Sequence, residues 1–149
     1  MLMKTHLAVA AFLLLLFLPH FNYKFLFLLV LLVATIIPDI DTAFSTVGKN
    51  RFFRIIQWLT KHRGIFHSFT LCFVVSIFFI FVYPPVAFPL FLGYCLHLLM
   101  DSFTVEGIRP FWPLRQGLNG KITTGGKIEY LFFVIFVIFD VILLISWFV

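Results

Sequence analysis

Five long apolar segments, separated by short polar stretches, make up most of the chain. They cover approximately Leu7–Leu18, Phe25–Ile37, Ile65–Tyr83, Val86–Met100 and Ile128–Val149. A membrane-spanning helix needs about 20 predominantly apolar residues, within a range of about 17–25. The third and fifth segments meet that length, and the other three reach it only if polar residues at their ends extend them. The pattern therefore predicts an all-α integral membrane bundle of about five helices.

A mixed stretch, Lys49–Lys61, connects the second and third apolar segments. Its aromatic and aliphatic residues, among them Trp58, alternate with basic residues at near-helical spacing. This pattern is typical of an amphipathic helix that lies in the lipid headgroup layer. We therefore expect a short interfacial helix here rather than an ordinary polar connection.

The composition indicates that the apolar segments lie in a lipid bilayer rather than in the core of a soluble protein. Of the 149 residues, 62% are hydrophobic and only 11% are charged, whereas a soluble domain carries about 25% charged residues. The length favours one domain over residues 1–149. The net charge of +5 comes from basic residues between the apolar segments. Such residues set topology and meet membrane lipids, so we expect no specific nucleic-acid binding.

Potential metal ligands gather at one face when the segments are arranged as antiparallel helices. Up-down connectivity brings together the start of the first segment, the end of the second, the start of the third and the end of the fourth. The His and Asp residues at these ends are His6, Asp39, Asp41, His62, His67, His97 and Asp101. A random distribution would divide them between both faces, so the clustering indicates a metal site.

The basic residues predict which side of the membrane this face meets. Of the 11 Lys and Arg residues, only Lys24 falls on the opposite face from the potential ligands. Cytoplasmic loops carry an excess of Lys and Arg. We therefore expect an integral protein of the plasma membrane, with the site at the cytoplasmic face and the C-terminus on the other side.

The spacing within the fourth segment supports metal binding. His97 and Asp101 lie one turn apart on a predicted helical stripe that also carries Gly93 and Thr104, and a glycine there lets another helix approach closely. Imidazole and carboxylate ligands without thiolate suit Zn²⁺ best; Mn²⁺ and Fe are also compatible, and Mg²⁺ less so. Seven ligands exceed the needs of one ion, so we expect two or three divalent cations.

Several of these residues also have a second interpretation. His62 is either a ligand or a solvated loop residue, and Ser68 is either a site residue or a helix cap. Glu129 either belongs to the site face or only balances Lys127. Asp140 lies too far along the fifth segment to reach the site, and Lys24 is a possible partner for it near the other face.

Taken together, these short motifs resemble the YdjM-like family of membrane-bound, metal-dependent hydrolases. The matching pieces are Thr5-His6, Pro38–Asp41, His62–Ser68, Gly93–Asp101, Thr104 and Gly107–Pro113. That family is similar, more distantly, to the zinc-dependent phospholipase C and single-strand nuclease group, which uses a trinuclear zinc site with a His-x-x-x-Asp pair. His97 and Asp101 match this pair. No His follows His97, so the later His ligand of that group has no counterpart here.

The resemblance implies hydrolysis of a phosphoester but identifies no substrate. Phe111 and Trp112 lie where an interfacial aromatic belt is expected, so we expect a substrate at headgroup depth, such as a phospholipid or a polyprenyl phosphate. In this hypothesis the metal ions activate a water molecule, and Asp41 or a second carboxylate such as Asp39 orients it or accepts its proton. Arg63 stabilises negative charge on the phosphoryl oxygens. The residues expected to contact the substrate are Arg63, Ser68, Thr104 and Arg109.

Two alternative functions also follow from the residues. Intramembrane His and Asp mark ion pathways as well, so the protein could be a non-enzymatic metal- or proton-handling protein. A pathway should carry polar residues through both halves of the bilayer, whereas here they concentrate at one side. In the second alternative, the metals only staple the short helices of a membrane scaffold.

Overall fold

The computed structural model describes residues 1–41 and 64–148, except the side chains of residues 40 and 41. Within these residues it is all-helical, as predicted, and contains no β-strand. The five helices are α1 (Met3–Phe17), α2 (Lys24–Ile36), α3 (Phe69–Val82), α4 (Pro84–Ser102) and α5 (Lys127–Ser146). The amphipathic helix predicted over Lys49–Lys61, together with His62 and Arg63, lies outside the described residues.

Three described helices are long and apolar enough to cross a membrane: Met3–His20, Pro84–Ser102 and Lys127–Ser146. The fourth segment reaches spanning length because residues at both of its ends extend the helix, to Pro84 and to Ser102, which is the condition that the sequence set. Pro84 and Pro85 extend its start. They occupy the first turn of α4, where the missing N–H of proline costs no hydrogen bond.

The third segment, in contrast, forms a shorter helix than expected. Its α-helix α3 has 14 residues, because Ile65–His67 form a separate 3₁₀ turn and Ser68 then caps the helix. The Ser68 hydroxyl accepts a hydrogen bond from the N–H of Leu71, which satisfies one of the free N–H groups of the first turn. His67 therefore lies just before α3 rather than within it.

Helix α4 is the central element of the bundle. It packs against α1, α2 and α3, while α5 packs against α1. The core on one side of α4 includes Phe27, Leu31 and Leu96, and the core on the other side includes Tyr94 and Leu98. Most large side chains of α5 are exposed, as expected for a helix surrounded by lipid.

Gly93 permits the close packing of α4 against α2. A Cβ atom at this position would lie 2.4 Å from the carbonyl oxygen of Leu31 and 3.0 Å from Oγ1 of Thr35. The close helix approach predicted at Gly93 is therefore confirmed. This contact brings the last turns of α2 beside the part of α4 that carries His97.

The long connection between α4 and α5 has defined internal pairing. The backbones of Ile108 and Leu118 exchange two hydrogen bonds of 2.9 Å each, and the N–H of Val105 donates to the carbonyl of Ile122. The N–H of Phe69 donates to the carbonyl of Pro110 at 2.9 Å. The first half of this loop is therefore held against the start of α3, next to His67.

Candidate metal centre

Five of the predicted ligands converge at one end of the bundle, where the starts of α1 and α3 meet the ends of α2 and α4. They are His6, Asp39, His67, His97 and Asp101, and all five are buried. Two sets of three have ligand atoms within 4.8 Å of one another, namely His6, His97 and Asp101, and Asp39, His67 and His97. Asp41 follows closely at the end of the 3₁₀ turn Ile37–Asp41, but its side chain lies outside the described residues.

His97 is oriented by a neighbouring helix. Its Nδ1 lies 2.7 Å from the carbonyl oxygen of Thr35 on α2. Because a carbonyl oxygen only accepts, Nδ1 carries the proton and donates it. Nε2 then has a lone pair and makes no hydrogen bond to any described residue. This arrangement, with one nitrogen donating to a carbonyl and the other available, is typical of a histidine that binds metal.

The carboxylate of Asp101 lies between separate imidazoles. Its Oδ1 lies 3.3 Å from Nε2 of His6, whereas its Oδ2 lies 3.7 Å from Nε2 of both His67 and His97. The α-amino group of Met1 also pairs with Oδ1. The two oxygens therefore contact different groups: Oδ1 contacts His6 and the Met1 amino group, and Oδ2 lies near His67 and His97.

His6 and His97 stack face to face. Their ring centroids lie 4.0 Å apart, with an interplanar angle of 8°. Neither ring nitrogen of His6 hydrogen-bonds to a described residue. Since a buried polar atom without a partner costs free energy, these nitrogens fit a role as metal ligands.

Asp39 completes the cluster from the turn that follows α2. Its Oδ1 lies 3.8 Å from Nε2 of His97, and it is the most exposed of the five ligands at 9%. Burial, which disfavours the charged carboxylate, raises its pKa above the ordinary value. A cation at this position would offset that effect. The donor set of imidazole nitrogens and carboxylate oxygens thus could hold a metal ion.

The residues predicted to contact substrate have different positions. The Ser68 hydroxyl donates to the carbonyl of Ile65 at 2.6 Å, in addition to capping α3. The buried Thr104 hydroxyl donates to the carbonyl of Asp101 at 2.7 Å and accepts from the N–H of Gly107. Both hydroxyls thus hold backbone in place around the cluster, and their contact with substrate stays a prediction.

Arg109 belongs to the loop between α4 and α5. It is exposed and lines a cavity of about 400 Å³ within the α4–α5 loop, together with Glu106 and Asn119. Its predicted contact with substrate is untested. Arg63, which was predicted to stabilise phosphoryl charge, lies outside the described residues.

Three residues near the cluster were not predicted to support it. Thr35 orients His97 through its carbonyl, and the Tyr94 hydroxyl donates to the carbonyl of Phe66 at 2.7 Å, beside His67. Glu129 is buried and accepts three hydrogen bonds. Only Glu129 had a detectable signal, since a glutamate in the first turn of a helix is typical of a capping interaction.

Asp140 does not have the partner suggested by the sequence. It makes no ion pair with Lys24 or with any other described residue, and its Oδ1 has no described hydrogen-bond partner. The suggestion of Lys24 was wrong because α5 packs against α1, whereas Lys24 begins α2. Asp140 therefore remains a carboxylate within the apolar helix α5, away from the cluster.

Comparison with known proteins agrees with this architecture. The sequence profile of the YdjM inner membrane protein family matches residues 1–148, which include all five described helices. No curated protein and no solved structure shows a significant match. With a match over nearly its whole length and a buried His and Asp cluster at one end of an apolar bundle, the chain belongs to the YdjM inner membrane protein family.

Proposed function

We propose that this protein is a membrane-bound, metal-dependent hydrolase that cleaves a phosphoester at the membrane surface. The observation that carries the proposal is the arrangement around Asp101, whose Oδ1 lies near Nε2 of His6 and whose Oδ2 lies near Nε2 of His67 and of His97. Paired cations about 3.5–4 Å apart, held by such ligands, are a recurrent feature of phosphoesterases. The substrate class and the reaction rest on this chemistry and on the resemblance described above.

The ligands can be divided between two cations, and we assign His97 to the cation that Asp39 and His67 would also hold. His97 has a single available nitrogen, because its Nδ1 donates to Thr35. One cation would use this nitrogen together with Asp39, His67 and Oδ2 of Asp101. The other would use His6 and Oδ1 of Asp101, in place of the contact that Oδ1 makes with the Met1 amino group, with remaining positions for water or substrate. Zn²⁺ suits this donor set best.

The protein side chains would complete the chemistry. A bound divalent cation lowers the pKa of a coordinated water toward neutrality and neutralises charge on phosphoryl oxygens. Asp39 is the most exposed of the five ligands, so it is well placed to accept a proton from the attacking water. We propose the same function for Asp41, and phosphoryl charge stabilisation for Arg63, from their places in the sequence motifs.

The position of the cluster supports a lipid substrate. It lies at one end of the apolar helices, and the loop next to it exposes Phe111 and Trp112. Aromatic side chains concentrate at the level of lipid headgroups. A phospholipid or a polyprenyl phosphate would therefore bring its phosphate to the depth of the cluster. We further propose that this face is cytoplasmic, since 10 of the 11 Lys and Arg residues flank it in the sequence.

The proposal is tested with the full-length protein in detergent or lipid, supplied with Zn²⁺ or Mn²⁺ and screened against lipid and nucleotide phosphoesters. We expect hydrolysis of at least one class. His97→Ala should reduce kcat/KM by more than about 100-fold, the upper end of the loss for residues that only orient a ligand. His20→Ala is the matched control, because His20 is exposed beyond the other end of α1 and should retain activity.

Two results would contradict the proposal. One is a stably folded protein that binds no divalent cation. The other is transport of Zn²⁺ across sealed vesicles without hydrolysis of any phosphoester, which would support the metal-handling alternative. The position of Asp140 favours this alternative, because a carboxylate within an apolar helix and outside the cluster is typical of an ion pathway.

A further inference from the structure

Glu129 differs from every other described residue of α5. It is the only buried residue of this helix, with 1% of its surface exposed. The rest of α5 presents mainly apolar side chains to its surroundings. A carboxylate is costly to bury unless it is paired or hydrogen-bonded, so the contacts of Glu129 indicate why the residue is there.

The Glu129 carboxylate joins the starts of two helices. Its Oε1 accepts hydrogen bonds from the N–H of Leu2 at 2.5 Å and from Oγ1 of Thr5 at 2.8 Å. Its Oε2 accepts from the N–H of Gly125 at 2.6 Å. Leu2 directly precedes the first turn of α1. Gly125 lies two residues before the first residue of α5. Backbone N–H groups are free at such ends, and the helix dipole favours a negative charge there.

These contacts act on the segment that carries His6. Thr5 precedes His6 directly, and the carbonyl of Leu2 accepts hydrogen bonds from the N–H groups of both residues. A ligating histidine is usually oriented by a hydrogen bond from its second nitrogen. His6 has no such bond to a described residue. Its position therefore depends on its stacking against His97, on the contact of its Nε2 with Asp101, and on the backbone that Glu129 holds.

We propose that Glu129 is a positioning residue for His6, and that it sets the affinity of the cation bound by His6 and Oδ1 of Asp101. This inference rests on the proposed metal-dependent function, but its test does not require hydrolysis. Glu129 holds the ligand-bearing segment and does not itself bind the cation. In this way α5 contributes to the site, although none of the five clustered ligands belongs to it.

The test is calorimetric titration of Zn²⁺ into the metal-free, full-length protein. We expect Glu129→Gln to weaken one class of Zn²⁺ sites by about 10- to 100-fold, the usual effect of removing a residue that orients a ligand, and to leave the other class unchanged. Glu106→Gln is the matched control. Glu106 also accepts a threonine hydrogen bond, from Thr124, but it is exposed and lies within the loop, so Zn²⁺ binding should not change.

A double-mutant cycle separates positioning from general stabilisation. In a His6→Ala background, Glu129→Gln should cause no further loss of Zn²⁺ affinity, because its target is already absent. In a His67→Ala background it should still weaken the His6 site. A further loss in the His6→Ala background would overturn the inference.

A milder variant keeps the test decisive if Glu129→Gln does not fold. Thr5→Val removes one donor to Glu129 and preserves the shape of the side chain. We expect it to weaken the same site by about threefold to tenfold, as for one hydrogen bond, and unchanged binding would contradict the inference. If the wild-type protein binds Zn²⁺ and both variants bind equally well, only this inference fails. If the wild-type protein binds none, the proposed function fails with it.

Discussion

At the scale of single residues, the cluster depends on how each ligand is held. His97 is limited to one available nitrogen by the carbonyl of Thr35, while Asp101 presents both oxygens. His97 therefore differs from Asp101 in how many cations each can serve. This difference leads to a prediction about metal content.

Replacing Asp101 with Asn should affect more cations than replacing Asp39 with Asn. Asn retains the size of Asp but loses the charge and one acceptor oxygen. We expect Asp101→Asn to lose both cations and Asp39→Asn to lose one, as measured by elemental analysis of the purified protein. Asp140→Asn serves as the control and should retain the wild-type content, because Asp140 lies on α5 away from the cluster. Equal losses in the Asp39 and Asp101 variants would contradict the two-cation arrangement.

At the scale of helices, α4 contributes two of the five ligands. It also contacts α1, which carries His6, and the helices α2 and α3, next to whose ends Asp39 and His67 lie. Its contact with α2 is close at Gly93, where the Leu31 carbonyl leaves no room for a Cβ atom. Thr35, one turn further along α2, makes both the contact with Gly93 and the hydrogen bond to His97. Helix packing and ligand orientation are therefore linked.

Gly93→Ala should therefore reduce both stability and metal affinity. The added methyl group would lie 2.4 Å from a backbone oxygen, so α2 and α4 must separate, at a cost of about 1–3 kcal/mol. Thermal unfolding in detergent and Zn²⁺ titration would measure the two effects. In the control Gly117→Ala, the nearest atom lies 3.8 Å from the added methyl group, and neither property should change. A destabilised Gly93→Ala protein with unaltered Zn²⁺ affinity would show that packing and ligand orientation are independent.

At the scale of the whole molecule, the polar cluster connects segments that are otherwise joined mainly by apolar contacts. The ligands come from α1, the turn after α2, the turn before α3, and α4. Apolar contacts between helices give little preference for one arrangement in lipid, because lipid chains are equally apolar. Cations at the cluster would therefore stabilise one arrangement of the bundle.

Removal of metal should accordingly lower the thermal stability of the bundle. A ligand at 100 times its Kd stabilises a folded protein by about 2.7 kcal/mol, so chelation should lower Tm by several degrees. Asp101→Asn should make Tm insensitive to chelator, since its two oxygens contact the ligands of both proposed cations and the variant is expected to lose both. A wild-type Tm that does not respond to chelator, in protein shown to contain metal, would contradict this role.

Much of the fold and part of the site can be read from the order of apolar segments. Antiparallel connectivity determines which helix ends share a face, so the convergence of His6, Asp39, His67, His97 and Asp101 could be predicted without a structure. Gly93 could be predicted too, because its spacing from His97 places both on one helical stripe. Helix lengths were less predictable, since Pro84 and Ser68 determine them through local capping.

Hydrogen-bond partners between helices had to come from the tertiary structure. Helical periodicity indicates the face on which a side chain lies, but not which carbonyl or carboxylate is opposite it. The Thr35 contact that leaves Nε2 of His97 available, and the separate surroundings of the two Asp101 oxygens, depend on distances between α1, α2 and α4. The same is true of Glu129, because its carboxylate reaches residues more than 120 positions away in the chain.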